Sequence, residues 1–231
     1  MQPIYVHAAG LNDTGVTAVD AGAPSGQDSQ IGRDPAAAAG LLPKTGSGGK
    51  GFDFTKIANN GSSLPAIAAL GSAPGDWACT LDNVTGRTWE VKTDDNGLRD
   101  KDWTYTWFST DNSSNGGSPG TANGGACFDS VNCDTQKYAA AVNSLNPALC
   151  GYNDWRLPTL EELLSIVDYG KNPGPSIDTG FFPNTVLSFF WSASAFASVS
   201  DVAWGVVFVD GDGGFDGKDD SVRVRLVRGG Q

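Results

Sequence analysis

Residues 151–170 read GYNDWRLPTLEELLSIVDYG, and the rest of the chain is read outward from them. Pro158 has no N–H to donate, so it belongs at a helix entrance and not inside a helix. Thr159 is a good N-cap. Glu162, three residues on, completes a capping box with it. Behind the cap, Leu160, Leu163, Leu164 and Val167 recur at helical spacing, while Glu161, Glu162, Ser165 and Asp168 fall between them toward water. Two glutamates in the first turn suit the positive end of the helix dipole. Gly170 is placed to end the helix in the left-handed conformation that glycine adopts most cheaply. Taken alone, this predicts an amphipathic core helix and no chemistry.

Upstream, Asp134 or Thr135 is placed to cap a first helix running to about Asn143, with Ala139, Val142 and Leu145 on its apolar side. Residues 77–93 read as two short strands turning at Thr85-Gly86, with Trp89 buried. WTYTW, residues 103–107, alternates an aromatic face that reads as core packing. From Phe189 the pattern changes to strands and loops. The last strand, 222–227, puts Val222, Val224 and Leu226 on one face and Arg223 and Arg225 on the other. Residues 111–126 form a long Asn/Gly/Ser loop, and 172–179 a Pro/Gly turn region.

The composition fits this picture. Thirty-one glycines and 39% apolar residues suit a loop-rich chain containing β-structure, while seven Trp and eleven Phe supply a core. No apolar run approaches the ~20 residues that span a bilayer. Residues 1–11 have neither a basic nor an apolar leader region, and the expectation is that an export signal has been removed ahead of Met1. A net charge of −11 disfavours nucleic acid, polyanions and anionic membrane surfaces. The four cysteines read as two disulfides in an oxidising compartment. Of three connectivities, Cys127 and Cys133 are close enough to clip a local loop, which leaves Cys79 with Cys150. The spacings do not suit zinc.

Five motifs come in one order: NDWRLPTLEELLSIVD, FFPNT, FWSAS, AW and VRLVRGGQ, beginning at Asn153, Phe181, Phe190, Ala203 and Val224, with DNVTGRTWEVKT (82–93) upstream. This series resembles the C-terminal domain family of the Legionella collagen-like protein over about 77–231, and more loosely over 11–34. The resemblance implies an α+β, C-type lectin-like or sulfatase-modifying-factor-like fold. Such a fold has two helices, short and mostly antiparallel strands and many loops, and its last strand returns to the chain's start. It also implies that 1–76 is a loop-rich appendage packed on the domain, although residues 45–51 read as flexible and a free linker is the competing reading. Some relatives look like glycosaminoglycan binders. This acidic chain departs from them.

Catalysis finds little support in the residues. The only histidine, His7, lies in the least structured stretch, and no cysteine motif matches the sulfatase-modifying relatives, so the chain is not expected to be an enzyme. DGDGGFDGKDD (210–220) begins like a calcium loop, but its twelfth position is Ser221 and a third acidic position is missing, so calcium is a minor reading and no other cofactor is expected. The lectin sugar motifs EPN, QPD and WND are absent, and Asn153-Asp154-Trp155 holds the last set of letters in another order.

The sharper signal is residues 192–223, which contain no Glu, Gln or Met, a single Trp (Trp204) and a single Lys (Lys218). Every other residue there is reachable from an AAY codon whose adenines are randomised. The stretch resembles the variable region of a diversity-generating retroelement target; an ordinary Gly/Asp loop followed by a strand is the bland alternative. Period-two geometry puts Trp204, Val206 and Phe208 inward as scaffold and Gly205, Val207 and Val209 outward. The expected binding face comprises Ala193, Ala195, Phe196, Ser198, Val199, Ser200, Asp201, Val202, Gly205, Val207, Val209, Asp210, Asp212, Gly213, Gly214, Phe215, Asp216, Asp219, Asp220, Ser221 and Arg223. Phe196, Phe215 and the exposed valines would anchor, and the aspartates would form a polar rim. The expected protein is therefore secreted or surface-displayed and binds a protein on another cell or phage, its oligomeric state left open. The competing readings are an adhesive protein that assembles through this domain and a calcium-dependent glycan binder.

Overall fold

The computed structural model describes residues 12–22 and 24–229. His7 and the reading of 1–11 as leaderless lie outside them. The elements run α1 (Arg33–Ala38), β1 (Phe54–Ala58), β2 (Ser63–Leu64), β3 (Trp77–Asp82), β4 (Arg87–Glu90), α2 (Thr135–Asn143), α3 (Leu160–Leu164), β5 (Phe189–Ala195), β6 (Val202–Val207), β7 (Gly213–Gly217) and β8 (Val227–Gly229). They form two antiparallel sheets, ordered β2-β1-β3-β4-β8 and β5-β6-β7, in an α+β, loop-rich arrangement.

The capping box of α3 forms as its letters require: the Glu162 N–H donates to Thr159 Oγ1 at 3.2 Å, and the Glu162 carboxylate accepts the Thr159 N–H at 2.9 Å. Other details of this helix differ from the sequence reading. It stops at Leu164, because Ser165 Oγ bonds back to the Glu162 carbonyl and the chain tightens into a turn. Gly170 is not left-handed; it is glycine because a side chain there would strike the Gly15 carbonyl. Glu162 and Asp168 do not face water. Glu162 is buried against Arg87 at 2.9 Å and Arg156 at 2.7 Å, and Asp168 against Lys50 at 2.5 Å.

The interior has two clusters. Tyr105, Trp107, Tyr138, Val142, Trp155, Trp191 and Leu226 fill one, so WTYTW is core as expected, although it makes isolated bridges instead of a strand. Phe52, Phe54, Trp89, Leu163, Phe182, Phe190, Val206 and Phe208 fill the other. A closed polar group crosses the core. Buried Glu90 takes the Tyr138 hydroxyl, Lys92 at 3.2 Å and the Leu226 N–H at 2.9 Å, while Arg225 donates to the Glu90 carbonyl at 2.8 Å. Burial pulls Lys92 down to about 8 against the pull of Glu90. Arg225, on the face opposite Val224 and Leu226, is thus as buried as they are.

The disulfides are Cys79–Cys150 and Cys127–Cys133, as the spacing suggested. The first ties β3 to the turn before α3, and the second clips the short turn 127–133 that follows the long loop. The C-terminal strand returns to β4, with Trp89 opposite Val227, and not to β1. The five-stranded sheet crosses the expected boundary at Trp77, since β1 pairs with β3 from Phe54↔Asp82 to Ala58↔Trp77. Residues 45–51 are held, not free: Ser47 bridges Phe54, Lys44 Nζ donates to the Gly48 and Lys50 carbonyls, and the Gly51 N–H bonds Asp34.

Candidate binding face

Both sides of β5-β6-β7 are packed near its middle. Phe190, Val206 and Phe208 point into one cluster, and Trp191 and Ala203 into the other. The sheet becomes a surface only toward β7 and the 196–201 loop. There Ser198, Val199, Ser200, Asp201, Val209, Asp210, Asp212, Gly213, Phe215, Asp216, Asp219, Asp220 and Ser221 are exposed. Ala193, Ala195, Phe196, Val202, Val207, Gly214 and Arg223 are half-buried.

Two residues of β6 behave differently from the strict alternation. Gly205 is buried between β5 and β7, where a Cβ would collide with the Phe190 carbonyl and the Phe189 ring, so it is not an outward position. The inward scaffold reading holds for Val206 and Phe208 but not for Trp204. Trp204 is half-buried, past the end of the core, and packs with Phe196 (centroids 5.0 Å apart) and Phe215 (5.6 Å), while Phe196 and Phe215 lie 4.8 Å apart. The three rings form an aromatic patch with Phe215 59% exposed at its rim.

Lys218 is the residue that sequence reading passed over. Its ammonium is buried 4.3 Å above the Trp107 ring and donates to the carbonyls of Asn115 (2.7 Å), Ser118 (2.8 Å) and Ser200 (2.5 Å). Burial lowers its pKa, partly offset by Asp201. One side chain thus clamps the 111–126 loop to the 196–201 loop. The signal was available, because Lys218 and Trp204 are the two residues of 192–223 that adenine randomisation cannot supply, and both are held by specific contacts. Arg223, counted with the face, gives its guanidinium to the Asp102 carbonyl.

Residues 210–220 fold as the β6–β7 turn, β7 and the turn after it. Among the described residues carboxylates also gather at Asp13, Asp28 and Asp34 and at Asp94, Asp100 and Asp102. Those groups mostly hold backbone: Asp34 accepts the Gly15 and Gly51 N–H groups, and Asp100 those of Asp95, Asn96 and Asp102. A small cavity of ≈ 210 Å³ adjoins Ala193 and is lined also by Trp107, Gln136, Trp155 and Arg156. The larger groove, ≈ 490 Å³, lies over β1 and β2 in the other sheet.

Two internal disulfides, a mixed core and an exposed aromatic edge define the class as a crosslinked α+β domain whose second sheet opens onto the surface. The chain belongs to the Lcl C-terminal domain family, which it matches over residues 78–228. No curated protein and no solved structure compared with the chain matches it.

Proposed function

We propose that this protein is a ligand-binding domain displayed at an extracellular or cell surface, and that its 192–223 face is diversified by a retroelement to recognise varied protein ligands. The aromatic patch of Phe196, Trp204 and Phe215 carries the reading. It is apolar, partly exposed and mounted on a rigid sheet, as an anchor must be, and adaptable Ser, Gly and Asp positions surround it. Family membership supports a surface binding domain, and the disulfides support an oxidising location. The confinement of Trp204 and Lys218 to anchored roles supports diversification, because a variable face needs fixed points. Binding without catalysis or a bound cofactor is part of the same proposal. Its support is that all four cysteines are crosslinked and that Glu90, Lys92 and Tyr138 are closed inside the core.

Sequencing the DNA around the coding region tests diversification. The expected result is a near-copy of the segment encoding 192–223 that differs only at adenines, beside a reverse transcriptase gene. Differences spread over all four bases would remove the retroelement and leave the binding domain. A second reading, self-assembly through the same patch, draws on the exposure of Phe215. Light scattering would favour it by finding an oligomer that Phe215→Ser dissolves.

A further inference from the structure

We propose that the open edge of β7 receives an extended, Lys- or Arg-bearing segment of the protein ligand as a fourth strand. This rests on the binding-face reading above and specifies how the face binds.

The ladder fixes which backbone groups are free. Val207 N–H donates to the Asp212 carbonyl at 2.9 Å, and Lys218 N–H to the Asp201 carbonyl at 2.8 Å. Antiparallel ladders alternate, so between these bonds Gly214 and Asp216 turn their N–H and C=O toward β6. Gly213 and Phe215 therefore turn theirs outward. β7 is the last strand of its sheet, and none of the described residues pairs with its outer side.

Proteins usually blunt such an edge with a lysine, a proline or a bulge. Here the strand reads GGFDG, and the adjacent lysine, Lys218, is turned inward onto three carbonyls. Gly213 and Gly214 carry no side chain to hold another backbone away. The edge has the properties a strand-adding ligand uses, with main-chain groups for affinity and alternating side-chain environments for selectivity.

Those two environments differ. On one face Phe215 joins the aromatic patch. On the other lies Asp216, followed by Asp219 and Asp220, all exposed, and the Asp220 carboxyl is raised chiefly by the Asp216 carboxyl beside it. These like charges crowd with no exposed cation of β7 to relieve them. An added strand would thus place an apolar side chain against Phe215 and, at the neighbouring position, a cation against Asp216. The matching ligand sequence alternates apolar and basic residues.

A displayed library of random linear peptides, panned on the intact protein, tests this. Selected peptides should be enriched in alternating apolar–basic sequences. A synthetic copy should slow hydrogen exchange at the Phe215 amide, bind more weakly as salt rises, and lose about tenfold in affinity on Asp216→Asn. Phe215→Pro should lose clearly more than Phe215→Ala, since it removes an outward N–H and no bond to β6. If the proline variant fails to fold, exchange at Phe215 in the unaltered protein decides alone. Peptides that need Phe196 and Phe215 but lack basic residues, or leave that amide unprotected, would overturn strand addition and leave the face a binding site. Selection of peptides indifferent to Phe196, Phe215 and Asp216, or no selection at all, would overturn both. A dimer formed by two β7 edges would overturn the choice of occupant.

Discussion

At position 205 the β5 chain approaches β6 so closely that a methyl group would strike the Phe190 carbonyl and enter the Phe189 ring. Gly205→Ala should therefore destabilise by about 1–3 kcal/mol, the usual range for overpacking. Val209, exposed at the hairpin end, should accept Asn, Tyr or Ser within about 0.5 kcal/mol. Guanidinium melts of the four variants check this; equal losses throughout would mean that Val209 is no freer to vary than Gly205. Lys218 gives a second residue-level test. Lys218→Met removes three donated hydrogen bonds and leaves their carbonyls short of a partner, so about 2–3 kcal/mol should be lost. The two loops it joins should exchange amide hydrogens faster, while the core strands stay protected. A variant as stable and as protected as the parent would show that the clamp is incidental.

Among the elements, α3 links folding to pH through Glu162. Burial pushes this carboxyl up, but Arg156, the Thr159 N–H and Arg87 outweigh burial and bring it from 4.5 to about 2. A carboxylate held below its unfolded value stabilises the fold fully above the unfolded value. Its contribution is then lost as pH falls from about 4.5 through about 2. Glu162→Gln should cost about 1–3 kcal/mol at neutral pH, the lower end reflecting the partly exposed Arg156, and should flatten the acid limb of the stability profile. An unchanged acid limb would assign the acid sensitivity to other carboxylates. Thr159→Ala should cost about 1 kcal/mol through the same cap. The cap of α3, the cap of α2 at Asp134, the Thr85-Gly86 turn and both disulfides were legible because each rests on neighbours in sequence or on a small count. The burial of Glu162, Asp168 and Arg225 was not, because the partners that enclose them include residues far along the chain, at Arg87, Lys50 and Thr185. Period two misled at Trp204 and Gly205 for a related reason. Alternation tells which face a side chain takes, but not that both faces of this sheet are covered near its middle and one is bare toward its edge.

For the molecule as a whole, the question is where the folding unit begins. The family match starts at residue 78, close to the first residue of β3. The sheet does not respect that start, since β1 pairs along β3 and carries β2 on its other side. Phe52 and Phe54 are buried to 1% exposure, stack at 5.6 Å, and Phe54 meets Phe182 at 5.2 Å inside the cluster that also holds Trp89 and Leu163. Further out, Asn12 reaches Asp82 at 2.7 Å and the Ser165 carbonyl at 3.1 Å, and the Tyr169 N–H bonds the Thr14 carbonyl at 2.8 Å. Losing a buried Phe costs about 3–5 kcal/mol, and a domain holds only about 5–15 kcal/mol in all. Removal of Phe52, Phe54 and Ile57 together should exhaust that margin. A chain beginning at Trp77 should therefore be recovered unfolded or aggregated, with its disulfides scrambled. The full chain should melt as a single transition. Circular dichroism melts and non-reducing peptide maps of the two distinguish these outcomes. A cooperative melt from the Trp77 chain, with Cys79–Cys150 intact, would show that β1 and β2 are an addition to a domain complete without them.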